Sequence, residues 1–132
     1  MTSDDLAELF REQRERLDMV VMLELLATAE GALRTDFQGR VDRREKDPVS
    51  RRFRELSKKY SYRIQLEEHI LDTWKELDPR TKNAVGNFKA ALRLRHWLAH
   101  GRHWTPRLGR SYRPNDIFDI AMELLNAVGA GN

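Results

Sequence analysis

Residues 95–104, RHWLAHGRHW, gather three of the chain's four histidines, two of its three tryptophans and two arginines into one short run. The run lies inside residues 79–115, which contain no Asp or Glu and nine bases: Arg80, Lys82, Lys89, Arg93, Arg95, Arg102, Arg107, Arg110 and Arg113. Imidazole titrates near neutrality and can give or take a proton. A guanidinium is always charged and grips phosphate oxygens through two parallel donors. Together these groups suit the binding of a phosphate ester and proton transfer to and from it.

The charge around this run alternates along the chain. Residues 1–36 carry a net −5, residues 37–63 a net +6, residues 64–78 a net −4, residues 79–113 a net +9 and residues 114–132 a net −3. Much of this is expected to be intramolecular pairing. The last basic segment has too few neighbouring acids to be neutralised locally, so part of it is expected to face a polyanion.

Positioning such residues falls to helices. Apolar spacing of three and four dominates and strict alternation is absent, so the chain reads as all-α, a bundle of four or five helices in a single domain spanning residues 1–132. A first helix is expected from Thr2 or Ser3 to about residue 37, with a possible break at Gly31. Leu6, Leu9, Phe10, Leu17, Val20, Val21, Leu25 and Ala29 are its expected buried stripe. Residues 39–48 read as a charged linker. Helices follow over about 49–60 and 62–77, with Ser61 a kink or a break, and with Ile64, Leu66, Ile70, Leu71 and Trp74 as core candidates. Asp78-Pro79 is a helix start signal. The helix it opens holds Val85, Phe88, Leu92 and Leu94 and runs to about His100, where Gly101 can end it. Residues 101–113 read as a basic loop. Pro114-Asn115-Asp116 opens the last helix, with Ile117, Phe118, Ile120, Ala121, Leu124, Leu125 and Val128 facing inward.

Composition removes several function classes. The absence of cysteine excludes disulfides and thiolate-metal sites. No apolar window is long enough to span a membrane, and the acidic N-terminus carries no secretory pattern, so a cytoplasmic protein without membrane contact is expected. His96 and His100 stand at i, i+4 with His103 nearby, which is also metal-ligand spacing. With no carboxylate or cysteine in residues 79–115 to complete a site, neither a metal nor another cofactor is expected.

Arg followed by His after four to six residues occurs at Arg63–His69, Arg93–His100 and Arg95–His100. Only the last combines a polar residue after the arginine (His96), an Ala-His-Gly ending and a place at the close of the penultimate helix. With these features RHWLAHG resembles the signature of the HEPN (higher eukaryotes and prokaryotes nucleotide-binding) family. The resemblance implies a small all-α bundle, often a homodimer, and in many members a metal-independent ribonuclease. Two positions depart from the family pattern. The residue after the arginine is commonly Asn and is here His96. Members paired with a minimal nucleotidyltransferase antitoxin typically carry Tyr two residues after the histidine, where this chain has Arg102, which argues against regulation by adenylylation there.

The resemblance thus implies an endoribonuclease acting as a toxin or antiphage-defence effector, with RNA as substrate and an antitoxin or defence protein as partner. Arg95 and His100 would be catalytic, and a second copy would complete the cleft. His96, His103, Arg93, Arg102 and Glu30 are supporting candidates. Arg93 is a rival for the functional arginine, because in a straight helix positions 95 and 100 stand about 140° apart while Arg93, His96, Trp97 and His100 share a face. Glu30 is expected to pair with the motif arginine in the core. Arg107, Arg110 and Arg113 are expected to guide RNA. His69 reads as a solvated or capping residue, Trp97 and Trp104 as scaffold, and Arg51, Arg52 and Arg54 as a solvated face. Two rival readings are a non-catalytic HEPN-like module binding RNA, nucleotide or protein, and an unrelated helical adaptor or metal-binding protein.

Overall fold

The structure, a computed structural model, describes residues 1–100 and 112–130, with the side chains of residues 98–100 left aside. The described residues form five α-helices: α1 (Ser3–Arg43), α2 (Pro48–Tyr60), α3 (Asp72–Leu77), α4 (Lys82–His100) and α5 (Pro114–Val128). No strand occurs among the described residues, so the all-α bundle expected from apolar spacing is what forms.

Local chemistry sets most boundaries. The Thr2 hydroxyl accepts from the Asp5 N–H at 3.1 Å and the Asp5 carboxylate accepts from the Thr2 N–H at 3.0 Å, a reciprocal cap that starts α1. Asp47 accepts from the Ser50 N–H at 3.0 Å ahead of Pro48, which starts α2. Ser61 ends α2 with φ 54° and ψ −124°, so it is a true break rather than a kink. A 3-10 turn (Ser61–Arg63) and π-helical turns (Leu66–Leu71) lead into α3. Asp78-Pro79 opens a 3-10 turn (Pro79–Thr81) that runs directly into α4. Gly129, at φ 75°, closes α5 in the left-handed conformation.

Helix α1 departs from the sequence expectation in two ways. It passes through Gly31 without a break and continues to Arg43, which shortens the expected linker to residues 44–47. A mid-helix glycine costs about 1 kcal/mol, and the burial of Ala29 and Leu33 on either side of it carries the helix through. More importantly, the expected stripe is not the buried one. Leu6, Leu9, Phe10, Leu17, Val20 and Val21 are exposed, Leu25 is half-buried, and only Ala29 is buried. The face that packs is Met22, Leu26, Ala29, Leu33 and Phe37.

The core forms around this second face. α1 packs against α2 and α5, and α5 also packs against α4. Phe53 is fully buried between Phe37 (ring centroids 4.7 Å apart) and Trp74 (6.0 Å). Val85, Phe88, Leu92 and Leu94 of α4 are buried as expected, as are Ile64, Leu66, Ile70, Leu71 and Trp74. On α5, Ile117, Ala121, Leu124 and Val128 face inward and Ile120 and Leu125 are half-buried, but Phe118 is half exposed: it lies just off the face that meets α1 and α4. Arg40 lies over the Trp74 ring at 4.8 Å, donates to Asp36 at 2.9 Å and to the Val128 carbonyl at 3.2 Å, and so ties α1 to α3 and α5.

Candidate functional site

Helix α4 carries Arg93, Arg95, His96 and Trp97 and ends at His100, the position expected for the close of the motif helix. Arg95 donates from Nη1 to Oε1 of Glu30 on α1 at 2.7 Å. The other oxygen of Glu30 accepts from Nε of Arg34 at 2.9 Å, and Arg34 also donates from Nη1 to the Ile64 carbonyl at 3.0 Å. One carboxylate therefore holds two guanidinium groups, and the second of these is braced against the segment before α3. The cluster keeps a net positive charge.

The pairing of Glu30 with the motif arginine has the expected partners but not the expected depth. The Glu30 side chain is 23% exposed and that of Arg95 is 45% exposed, so the pair lies at the bundle surface rather than in the core. Burial alone would push the Glu30 carboxyl up. The hydrogen bonds and charges of Arg95 and Arg34 outweigh it and hold the group below the ordinary glutamate range. Among the described residues Arg95 meets Glu30 through Nη1 alone.

The other sequence candidates separate as follows. Arg93 and His96 are exposed on α4, and Arg93 makes no ion pair with a described residue. Trp97 is half-buried and packs against the core, with its Nε1 lacking a partner among the described residues. Arg113 is the N-cap of α5, its N–H donating to Asp116 at 2.8 Å, with its side chain exposed. The side chain of His100, and Arg102, His103, Trp104, Arg107 and Arg110, lie outside the described residues. No group of three His, Cys, Asp or Glu side chains that could hold a metal ion is found among the described residues.

The competing Arg63–His69 match is structural. His69 is buried, its Nδ1 accepts from the Gln65 N–H at 2.7 Å, and its ring stacks on Tyr60 at 4.2 Å. It caps the start of the π-helical turns, while Arg63 points to solvent. Of the two readings for His69, capping holds and solvation does not. The α2 arginines divide: Arg51 is exposed, whereas Arg54 is half-buried and donates to the Glu45 carbonyl at 2.6 Å.

No protein-family model, curated protein or solved structure matches this chain. The site therefore rests on its own geometry.

Two features were missed in the sequence. Arg34 completes the Glu30 cluster, and its i, i+4 spacing from Glu30 is a legible signal. A cleft of about 510 Å³ opens where α1 ends, lined by Arg40, Asp47, Trp74, Asp78, Arg80 and Val128 among others. Its charges are already paired: Arg40 with Asp36 at 2.9 Å and Asp47 at 3.6 Å, Arg80 with Asp78 at 3.0 Å. It reads as the joint between helix ends. No described helix is long and apolar enough to cross a membrane.

Proposed function

We propose that this chain is a HEPN-like, metal-independent endoribonuclease, acting in the cytoplasm as the toxin of a toxin–antitoxin pair or as an antiphage-defence effector. Arg95 and His100 carry the reaction. The observation that supports this most is the anchoring of Arg95 by Glu30 at 2.7 Å, near the end of a helix whose last residue is His100.

Cleavage of RNA without a metal needs a base for the 2′-OH proton, a cation for the crowded phosphorane and an acid for the leaving 5′-oxygen. Arg95 supplies the cation. Glu30 fixes it through one nitrogen and leaves the rest of the fork for phosphate oxygens. His100 serves as base or acid, and a second copy across a two-fold cleft supplies the complementary pair. The 2′-oxygen attacks phosphorus and the 5′-oxygen leaves with a proton, so the products end in a 2′,3′-cyclic phosphate and a 5′-hydroxyl. DNA, lacking the 2′-OH, is not cut.

A second reading, a non-catalytic module that binds RNA, nucleotide or protein, is favoured by one fact: the charge of Arg95 is already met by a carboxylate. Incubation of the purified chain with RNA in EDTA separates the two. Cleavage under chelation supports the nuclease; binding without cleavage supports the module.

A further inference from the structure

The first nineteen residues of α1, 3–21, contain no buried side chain, yet they carry six exposed large apolar residues. At 100° per residue, Leu6, Leu9, Phe10, Leu17, Val20 and Val21 lie on one side of the helix, roughly 180° round from the line through Met22, Leu26, Ala29, Leu33 and Phe37 that packs into the bundle. The apolar face of α1 changes sides half-way along. On the arm, the side in line with the bundle core is instead acidic, with Asp4, Glu8, Glu12, Glu15 and Asp18. None of the described residues of the bundle covers the stripe, because the described bundle sits behind it.

We infer that this stripe is the docking surface for a second copy of the chain, paired in parallel and in register. Four features of the arm select that occupant. First, Leu6, Phe10, Gln13, Leu17 and Val20 follow alternating steps of four and three, the 3.5-residue period by which two helices stay in contact. Second, the polar member Gln13 meets its own copy only when the helices run parallel and in register. The two amides then each offer a donor and an acceptor, as single polar seam residues do when they fix register.

Third, the charges flanking the seam, Arg14 and Arg16, face Leu9 and Val21 of the other helix in that arrangement, so their aliphatic stems cover apolar surface and along residues 6–21 no like charges oppose. Fourth, the area is right. Phe10 is 62% exposed and Leu17 is 63% exposed. The six side chains leave on the order of 500 Å² of apolar surface open, toward the upper end of the largest patch a monomer usually shows and a large part of the roughly 800 Å² per partner of a stable interface.

Beyond the apolar residues the seam line continues through exposed Glu24 to Ala27, Thr28 and Gly31, and a Cβ placed on Gly31 would meet nothing within 4 Å. Two helices can thus stay close as far as residue 31, next to Glu30. The inference does not depend on nuclease activity, since its readout is mass and cross-linking.

The test uses the full chain at micromolar concentration. Analytical ultracentrifugation of the wild type is expected to give twice the 15.6 kDa of one chain. The double variant Phe10→Glu/Leu17→Glu alters two exposed side chains outside the bundle core and is expected to sediment as a folded monomer with an unchanged bundle melting transition. Since the chain has no cysteine, Gln13→Cys introduces a single one and is expected to give a disulfide-linked dimer under mild oxidation. A monomeric wild type, whether or not it binds lipid vesicles, would overturn the inference. So would a double variant that remains dimeric, or a Gln13→Cys dimer that does not cross-link.

Discussion

Arg95 on α4 and Glu30 on α1 are 65 residues apart in sequence and meet at 2.7 Å. The bond couples the cationic run to the longest helix of the fold, and through Arg34 to the Ile64 carbonyl. A guanidinium on a surface helix turn ordinarily samples many rotamers. Here one rotamer is selected by a carboxylate whose second oxygen is already occupied.

Glu30→Gln should therefore separate positioning from stability. The pair is nearly half exposed at Arg95, so its loss is expected to cost about 0.2–1 kcal/mol and a shift of no more than a few degrees in melting temperature. Ribonuclease activity is expected to fall roughly ten- to a hundredfold, because a displaced cation meets the phosphate poorly. Thermal melting and cleavage rates on the same preparation check both. Equal losses in both would mean that Glu30 acts on the fold alone.

The same carboxyl gives a signed pH dependence. Its folded pKa lies below the ordinary value of 4.5, so its contribution to stability is fully present above that value and is lost as pH falls through the depressed one. Asp47, which burial alone would push up, is held below its ordinary value by its bonds to Ser50 and by the charge of Arg40, and loses its contribution in the same direction. Asp36 runs the other way: burial raises it despite Arg40, so acidification through its folded value adds stability until the unfolded chain protonates too. Denaturant midpoints of wild type and Glu30→Gln are expected to differ by a constant amount near neutrality and to converge in acid.

Phe53 is fully buried, enclosed between Phe37 and Trp74 at the meeting of α1, α2 and α3. Phe53→Ala is expected to cost about 3–5 kcal/mol, transfer and cavity terms together. Equilibrium denaturation measures it, and a cost under about 1 kcal/mol would contradict the packing described.

Ser61 holds φ 54° and ψ −124°, a conformation that a Cβ opposes. Ser61→Gly is expected to stabilise the fold by about 1 kcal/mol, the relieved strain less the entropy glycine adds to the unfolded chain. A lower denaturation midpoint would show that the serine side chain contributes more than its backbone costs.

Much of this architecture is legible in the sequence because it is local. Asp78-Pro79 and Pro114 mark helix starts through hydrogen bonds made within a few residues of chain, while Asp47-Pro48, a start of the same kind, falls in the segment expected as linker. The core of α3 and α4 follows from spacing. The buried stripe on α1 differs from the expected one for a physical reason: periodicity shows that a helix face is apolar, not what covers it, and α1 has two such faces on opposite sides. Met22, Leu26, Ala29, Leu33 and Phe37 repeat just as regularly, and tertiary packing chose them. At the site, Glu30 and Arg95 were legible as complementary charges. The bracing by Arg34 onto Ile64 was not, since a backbone carbonyl left free before π-helical turns has no sequence signature.

The central claim is that Arg95 and His100 cleave RNA through its own 2′-oxygen. Its most direct measurement is the rate and product ends of cleavage of one RNA in EDTA, compared between wild type and His100→Ala. The expected result is a 2′,3′-cyclic phosphate and 5′-hydroxyl from the wild type and no cleavage from a folded His100→Ala. Cleavage by His100→Ala at the wild-type rate, or cleavage by the wild type only when metal is supplied, would contradict the account.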